Sequence, residues 1–360
     1  MVSVVVGGHY GDEGKGKIVS YLALNDNPDV IARAGVGPNA GHTVYKDGKK
    51  FGLRMIPCGF VNEKSKLVIG AGVLVEPKRF LQEVEWTDTK DRMFVDKRCS
   101  IIEEKHKEQD TKGQAKKIGT TGSGCGPANA DRVLRIAKQA KDIKELKDFL
   151  LDVPEFLNKT LQEGGDILLE ASQGFGLSLY YGNYPYVTSK DTTSSTACAD
   201  VGIGPTTVKE VIIVFKAYMS RVGEDPYVHY LTNEEIEGDP VWEKVLERAK
   251  AEDLPGKNDN EIIAAYLKEL GTVTGRPRKI GKFDFELAKY SSTLNGATQV
   301  AVTCIDKLFP ESLGAKSYGD LGQDAQDFLD NIESQLQRKI TLISTGPEPQ
   351  DIVDLRSKDG

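Results

Sequence analysis

The sequence predicts an α/β protein, a single large domain around a mostly parallel central β-sheet, with a P-loop-like nucleotide-binding turn after the first strand. Short β-rich segments alternate with longer segments of helical character, which is typical of parallel sheets layered with helices. No Pro/Ser linker or internal repeat divides the 360 residues. Glycine-rich and polar loops follow the apolar strands, at the sheet edge where open α/β proteins bind ligands.

The individual elements follow from short apolar runs and from helical spacing. The predicted strands are residues 2–6, 30–33, 67–69, 167–170, 211–215 and 299–303. The predicted helices are residues 17–24, 142–150, 154–163, 261–270 and 325–337. The polar residues 101–118 are interpreted as either a solvated helix or a mobile loop. The equally polar residues 232–260 are interpreted as a surface excursion of one domain that spans residues 1–360.

Composition narrows the class of function. The 47 basic and 54 acidic residues give a net charge of −7 without a block of five or more like charges, so we expect no binding to nucleic acid. The chain has no 18-residue apolar stretch and no basic leader, so we expect a cytoplasmic protein without membrane contact. Five scattered cysteines and four unclustered histidines predict reduced thiols and no zinc site.

The run "GDEGKGKI" at residues 11–18 comes directly after the first predicted strand. Such a turn exposes backbone N–H groups at a helix N-terminus, which suits phosphate. It fits G-x-x-x-x-G-K, but Ile18 stands where a P-loop has the Ser or Thr that binds magnesium. Asp12 and Glu13 are the candidates to replace that hydroxyl, because a hard cation prefers carboxylate oxygen. A glycine turn capped by an acidic residue is the structural alternative.

Two further loops carry candidate functional groups. "GVGPNAGHTV" at residues 35–44 places Asn39 and His42 among small residues after a strand, where a histidine that bonds loop carbonyls is the alternative to a functional one. "GTVTGRPRKIG" at residues 271–281 carries Arg276 and Arg278 around a proline. A stiff arginine pair suits a carboxylate or phosphate, and a solvated basic turn is the alternative.

Other polar loops extend the same pattern. Residues 117–135 and 172–196 are rich in hydroxyls and glycines, although such runs usually indicate turns. Two apolar strands end near Asp306 and near Ser344. Together, the loops predict several anionic groups bound along one sheet edge with magnesium. That combination fits phosphoryl transfer between two bound substrates.

Six motifs occur in the order found in one enzyme family: "GDEGKGKIV", "NAGHT", "IGTTGSGCGPANADR", "YPYVTS", "TVTGRPR" and "STGPEP". The chain resembles the adenylosuccinate synthetase family, particularly its shorter archaeal-type members, from Val2 to about Arg356. The resemblance implies a ligase of purine (AMP) biosynthesis. It would use GTP, IMP, L-aspartate and Mg²⁺ to make adenylosuccinate, GDP and phosphate, and it would act as a homodimer.

The resemblance also implies roles for individual residues. Asp12 would remove the N1 proton of IMP and contact magnesium together with the carbonyl of Gly41, and His42 would donate to the phosphoryl group in transfer. The residues implied to bind GTP and its phosphates are Gly11, Glu13, Gly14, Lys15, Gly16, Lys17, Thr43, Arg278, Asp306, Ser344 and Gly346. Those implied to bind IMP are Asn39, Thr121, Arg135, Gln173, Thr188 and Arg276, with Arg135 reaching across the dimer. Those implied to bind aspartate are Val273, Thr274, Arg276 and Arg278.

The chain departs from the family pattern near the expected base pocket. His9 and Tyr10 stand where the family usually has Gln-Trp, Pro38 precedes "NAGHT", and "RVGEDPYVHYL" replaces "RVGAGP". A phage branch, 2-aminoadenylosuccinate synthetase, uses dGMP in place of IMP and ATP or dATP as donor. The presence of Asp12 and Asp306 favours the ordinary IMP and GTP enzyme. A GTP-binding switch protein without ligase activity is the alternative of another class, but it gives no reason for "TGRPR".

Overall fold

The apolar run at the N-terminus forms the first strand of a large sheet, near its centre. The computed structural model describes residues 1–222, 225–270 and 278–356. The strands in these ranges are β1 (Val2–Gly7), β2 (Val30–Arg33), β3 (His42–Lys46), β4 (Lys49–Leu53), β5 (Lys66–Ile69), β6 (Leu74–Val75), β7 (Met93–Asp96), β8 (Ser100–Ile101), β9 (Leu150–Leu151), β10 (Ile167–Glu170), β11 (Val208–Lys216), β12 (Met219–Val222), β13 (Arg278–Gly281), β14 (Gln299–Thr303), β15 (Ile340–Ser344) and β16 (Ile352–Asp354).

Ten of the described strands form one sheet in the order β16-β15-β14-β11-β1-β10-β2-β5-β7-β9. Its neighbouring strands run parallel except for β15 and β16, which are antiparallel. The mostly parallel sheet in a single α/β domain confirms the predicted fold class. Because the strands share one direction, the loops that follow β1, β2 and β10 emerge at the same edge.

Side chains of β1 alternate between the two faces of this sheet. Val4 and Val6 pack with Phe215 in one apolar cluster, whereas Val5 packs with Ile31 in the other. Both faces are therefore buried, as expected for a parallel sheet covered by helices. The described helices are α1 (Lys15–Asp26), α2 (Pro77–Thr87), α3 (Glu104–Gln109), α4 (Gly113–Ile118), α5 (Cys125–Val133), α6 (Val153–Gln162), α7 (Ser194–Val201), α8 (Asn233–Glu237), α9 (Pro240–Ala251), α10 (Asp259–Tyr266), α11 (Phe285–Leu294), α12 (Ile305–Leu308) and α13 (Gln323–Leu336).

All six predicted strands are confirmed, and α1, α6, α10 and α13 match predicted helices, although α10 ends four residues before the predicted end at residue 270. The predicted helix at residues 142–150 is wrong. Lys144–Phe149 is a 3₁₀ helix, and the following Leu150–Leu151 pairs with β7 at the sheet edge. Leu146 and Phe149 are the buried residues of this turn, and their spacing of three matches the repeat of a 3₁₀ helix.

The two polar segments are helical. Residues 101–118 include α3 and α4, of which only His106 is buried. Residues 232–260 include α8 and α9, and α9 buries Trp242, Val245 and Leu246 in the main core while its other face is solvated. The polar composition of the second segment therefore reflects the outer face of an amphipathic helix.

The turn between β1 and α1 is the local structure that matters most for the site. Gly14 precedes the helix with φ of 79°, a left-handed conformation that a residue with a Cβ atom rarely adopts. This conformation directs the chain into α1 at the carboxyl edge of the sheet. None of the helices within the described ranges is both long and apolar enough to cross a membrane.

Candidate active site

A cavity of about 650 Å³ lies where the loops after β1, β2 and β10 converge. Residues from the β1 turn line it with residues from the β2 loop and from β12, among them Gly11, Asp12, Asn39, Gly41 and Ser220. Gln173, Thr188, Thr121 and Arg278 also line it. Four of the six residues implied to bind IMP therefore meet at one cavity, although they are spread over 150 positions of sequence from Asn39 to Thr188.

A short hydrogen-bond chain joins three of these residues. Gln173 Nε2 donates to Asn39 Oδ1 over 2.9 Å, and Asn39 Nδ2 donates to Thr188 Oγ1 over 3.2 Å. Ser172 Oγ donates to Gln173 Oε1 and fixes its amide. The chain orients two amides and a hydroxyl on the cavity wall, groups that can recognise the edge of a base or a phosphate.

Asp12 is held at the cavity by donors that end on one oxygen. Lys216 Nζ lies 3.1 Å from Asp12 Oδ2, Ser220 Oγ donates to the same oxygen, and Arg278 Nη1 lies 3.5 Å from it. No hydrogen bond from a described residue ends on Asp12 Oδ1. The Asp12 side chain is 10% exposed, so its free oxygen lies in a partly desolvated wall of the cavity.

Glu269 contacts both Lys216 and Arg278, the two cations beside Asp12. Its carboxylate lies 2.7 Å from Lys216 Nζ and 2.8 Å from Arg278 Nη1, and its side chain is 1% exposed. Burial alone would raise the pKa of Glu269, but the charges of Lys216 and the neighbouring cations hold it well below its ordinary value. Burial would lower the pKa of Lys216, but the carboxylates of Asp12 and Glu269 raise it. Both groups are charged at neutral pH.

His42 lies in a second buried cluster with Glu170, Arg33 and Cys58. Its Nδ1 contacts Glu170 Oε1, and Arg33 Nη1 lies 2.5 Å from the same carboxylate oxygen. Burial would raise the pKa of Glu170, but Arg33 and His42 lower it to about 2. Burial, followed by the charge of Arg33, lowers the pKa of His42 to about 4. The imidazole is therefore neutral at pH 7, and its Nδ1 lies beside both the ionised carboxylate of Glu170 and, at 2.7 Å, Arg33 Nη1.

The other ring nitrogen of His42, Nε2, is buried and receives no hydrogen bond from the described residues. His42 does not line the cavity, whereas its neighbour Gly41 does. His42, Cys58 and Glu170 also offer ligand atoms close enough for a metal ion. The guanidinium of Arg33 already neutralises Glu170 there, so a cation is not needed to stabilise the cluster.

Two charged residues of the glycine turn face inward. Glu13 is buried and accepts hydrogen bonds from the N–H groups of His9 and Gly11 and from Lys15 Nζ. Burial would raise the pKa of Glu13, but the charge of Lys15 and these donors lower it. The Glu13–Lys15 pair thus holds the turn in shape. Gly16 has no room for a Cβ atom, which would lie 2.9 Å from Cys58 Sγ.

The side chain of Lys17, in α1, contacts the C-terminal part of the chain. Its Nζ donates to the carbonyls of Gly346 and Asp351, the latter over 2.9 Å. Burial lowers the pKa of Lys17 to about 8. Burial also raises the pKa of Asp306, partly offset by the charge of Lys17. Lys17, Asp306, Gly346 and the neighbouring Ser344 therefore share a second region beside the glycine turn.

Some of the remaining candidate residues lie at the cavity or next to His42, and others lie elsewhere. Thr121 Oγ1 is 2.8 Å from Ser123 Oγ at the cavity, and Thr43 follows His42 in β3. Arg135 is exposed, does not line the cavity and has a φ of 67°. Val273, Thr274 and Arg276 lie outside the described residues.

His9 and Tyr10, the two residues before "GDEG", lie in different surroundings. His9 is buried between the rings of Phe215 and Phe283, with centroids 4.9 and 5.0 Å away, and is not a cavity residue. Tyr10 lines the cavity, and the guanidinium of Arg221 lies 4.9 Å from its ring centroid. Tyr10 is thus the one of the two departures that can touch a ligand.

Sequence reasoning did not identify Lys216, Ser220, Glu269 or Glu170 as site residues. A signal existed for Lys216 and Glu170, because each is a charged residue that ends an apolar strand at the ligand-binding edge. No comparable signal marked Glu269, which lies 53 positions after Lys216 and meets it only through the fold.

Comparisons with known proteins show which family this chain is similar to. The model of the family described as adenylosuccinate synthetase matches residues 4–149 and 140–312. Adenylosuccinate synthetase of Archaeoglobus fulgidus is 53% identical over 358 residues, covering 99% of this chain and 98% of the relative. Those of Methanocaldococcus jannaschii and Methanosphaera stadtmanae are 52% and 50% identical over 361 residues, covering 99% of this chain and 97% and 98% of the relatives.

Two solved structures share the fold. Fully ligated adenylosuccinate synthetase from Plasmodium falciparum has a TM-score of 0.85 at 23% identity, covering 99% of this chain and 100% of that one. Succinoaminodeoxyadenylate synthetase of cyanophage S-2L, bound to dGMP and to dATP as energy donor, has a TM-score of 0.75 at 22% identity, covering 99% and 95%. The family match over most of the sequence, the three relatives and the shared fold lead to one conclusion: the chain belongs to the adenylosuccinate synthetase family.

Proposed function

We propose that this chain joins L-aspartate to IMP at the expense of GTP, giving adenylosuccinate, GDP and phosphate. The observation that carries the proposal is the Asp12 carboxylate, which is ionically anchored through Oδ2 at a cavity whose wall also presents Asn39, Gln173 and Thr188. Relatives at 50–53% identity are named for this activity, which favours it over the dGMP-dependent alternative.

The chemistry assigned to Asp12 is proton removal. Asp12 Oδ1 accepts the N1 proton of IMP, which makes O6 a stronger nucleophile toward the γ-phosphorus of GTP. The O6–phosphorus bond forms as the bond between the β,γ-bridging oxygen and the γ-phosphorus breaks, and GDP leaves. The aspartate amine then attacks C6, the C6–O6 bond breaks, and phosphate carries O6 away while the amine loses a proton.

The phosphates of GTP are assigned to the β1–α1 turn. Backbone N–H groups of Gly14, Gly16 and their neighbours lie at the start of α1, where a helix favours anions. Thr43 and Arg278 are assigned to the same ligand. Asp306, Ser344 and Gly346 are assigned to the guanine base, beside Lys17.

The aspartate substrate is assigned to Val273, Thr274, Arg276 and Arg278. Arg278 is the member of this group with a described position, and it lines the same cavity as Asp12. His42 is assigned a contact to the transferring phosphoryl group through Nε2, which has no hydrogen-bond partner among the described residues.

Magnesium fits the donor set at the cavity. The carboxylate of Asp12 and the backbone carbonyl of Gly41 are hard oxygen donors on one wall, the type of ligand that Mg²⁺ prefers. When bound, the ion supplies charge neutralisation for the phosphate oxygens.

A homodimer would complete the phosphate site through Arg135. This arginine is exposed and is flanked by Val133, Leu134 and Ile136, which are 73%, 65% and 63% exposed. Large apolar side chains left in solvent in this way mark an interaction surface. Because the proposed substrates are nucleotides and an amino acid of the cell interior, we assign the reaction to the cytoplasm.

The proposal is tested by a product assay that crosses IMP, dGMP and GMP with GTP, ATP and dATP in the presence of aspartate and magnesium. Chromatographic detection of adenylosuccinate from IMP and GTP alone is the expected result. Product confined to dGMP would support the phage-type alternative. GTP binding without aspartate-dependent phosphate release would indicate a switch protein instead.

A further inference from the structure

We propose that Lys216, Ser220 and Glu269 position the carboxylate of Asp12, holding Oδ2 so that Oδ1 is the oxygen offered to the substrate. The proposal rests on the proposed function of Asp12 as the base. It concerns three residues that the motifs around the site do not contain.

The ammonium of Lys216 is fully satisfied. An ammonium group has three N–H donors, and Lys216 Nζ has three oxygen partners: Asp12 Oδ2 at 3.1 Å, Glu269 Oε1 at 2.7 Å and Ser220 Oγ at 2.7 Å. Its aliphatic stem is buried, and Nζ lies 4.4 Å from the ring centroid of Tyr218. A cation fixed on four sides in this way determines where its carboxylate partner can lie.

Ser220 completes the attachment. Its oxygen accepts from Lys216, and its hydroxyl donates to Asp12 Oδ2, with Glu269 Oε2 as a second acceptor at 3.2 Å. Ser220 belongs to β12 and is 1% exposed, so a paired strand and burial fix its position. Two independent donors therefore bind one oxygen of Asp12, which fixes the orientation of the carboxylate.

Glu269 offsets the positive charge of the cluster. Without it, Lys216 and Arg278 would place two positive charges against the single negative charge of Asp12. Glu269 holds these two cations at 2.7 and 2.8 Å, and Lys307 Nζ lies 3.5 Å from its Oε1 as a third, more distant cation. Arg278 lies farther from Asp12, at 3.5 Å, so the closer cation of the pair is the buried Lys216. Buried ion clusters contribute little net stability, which points to orientation as the gain.

The test uses matched substitutions in the full-length protein. Ser220→Ala removes one donor to Asp12 Oδ2, and Ser220→Thr keeps the hydroxyl. Ser291→Ala is the control, because Ser291 is equally buried but bonds a helix carbonyl in α11. Lys216→Met removes the central cation, and Asp96→Asn controls for loss of a buried charge, because the Asp96 carboxylate on β7 is buried and pairs with Arg98.

We expect Ser220→Ala to lower kcat about tenfold or more and Lys216→Met to lower kcat about 10²-fold, since the base is misplaced. The KM values for IMP and aspartate and the IMP dissociation constant from calorimetry should stay within about twofold of the wild type. Ser220→Thr should recover most of the lost kcat. If Lys216→Met does not fold, the three serine variants decide the question.

Three results would overturn the proposal: a kcat of Ser220→Ala equal to that of Ser291→Ala, a loss confined to KM, or no recovery in Ser220→Thr. These failures are separable from failure of the proposed function. If only the positioning proposal fails, the wild type still makes adenylosuccinate. A wild-type protein that makes none would overturn both.

Discussion

Removal of the Glu170 carboxylate should destabilise the protein strongly, and the buried cluster around His42 gives the magnitude. Glu170 has no exposed side-chain surface, and it carries the only described negative charge in contact with Arg33, whose side chain is 2% exposed. The variant Glu170→Gln keeps the shape of the side chain but leaves the guanidinium buried without a counter-charge. Loss of one partner from such a pair costs about 3–5 kcal/mol.

The pKa of Glu170 gives a second route to the same magnitude. Its pKa falls from an ordinary value of 4.5 to about 2 in the folded protein. A difference of this size corresponds to about 3 kcal/mol of folding stability from ionised Glu170. Since the folded pKa is depressed, that stability is fully present above pH 4.5 and is lost as the pH falls toward 2.

The assay is equilibrium unfolding in urea at pH 7, followed by circular dichroism. Glu170→Gln should lower the free energy of unfolding by about 3 kcal/mol or more, and adding Arg33→Met should recover much of the loss because no unpaired charge remains. The control is Glu286→Gln, which removes an exposed partner of Lys289 and should leave the midpoint unchanged. A loss of less than about 1 kcal/mol in Glu170→Gln, or a further loss in the double variant, would refute this reasoning.

Three further predictions concern the catalytic candidates. Asp12→Asn should lower kcat by about 10²–10⁴, measured by steady-state kinetics; wild-type turnover would exclude Asp12 as the base. His42, with a folded pKa of about 4 against 6.5 unfolded, should destabilise the wild type as the pH falls, because the unfolded chain then binds more protons. Between pH 7.5 and 5 this costs about 2 kcal/mol, and urea unfolding of His42→Gln should lack that loss; an equal loss in the variant would contradict the assignment. Arg135→Leu mixed with Asp12→Asn should recover up to about a quarter of wild-type activity, since half of the dimers are mixed and each has one intact site; no recovery would argue against a shared site.

The sequence predicted the central sheet well because its strands are short apolar runs buried on both faces. Such runs stand out against polar loops, so 30–33 and 167–170 were predicted with the bounds that the structure has. The helix predicted at 142–150 failed for a reason of spacing. Buried residues three apart fit a 3₁₀ turn, and pairing of Leu150–Leu151 at the sheet edge then ends it.

The candidate site was predictable only in part. Loops after parallel strands meet at one edge, which is why Asp12, Asn39 and Gln173 could be expected at one cavity. The orientation of a charged side chain within a loop could not be predicted in the same way. Glu13 and Lys15 bind each other and the N–H groups of the turn, a pairing that depends on the left-handed backbone at Gly14.

Contacts between distant segments were beyond sequence reasoning. Glu269 meets Lys216 across 53 positions, and Lys17 meets Gly346 across 329. No local pattern encodes either contact, because each depends on the order of strands in the sheet. For the same reason, the sequence could not predict that His9 is buried whereas its neighbour Tyr10 lines the cavity.

The central claim is that O6 of IMP attacks the γ-phosphoryl group before aspartate displaces it. The direct measurement is the mass of the phosphate released from IMP labelled with ¹⁸O at position 6, in the presence of GTP, aspartate and magnesium. Transfer of the O6 atom predicts phosphate that carries one ¹⁸O for each adenylosuccinate formed. Unlabelled phosphate formed together with adenylosuccinate would contradict the proposed sequence of steps.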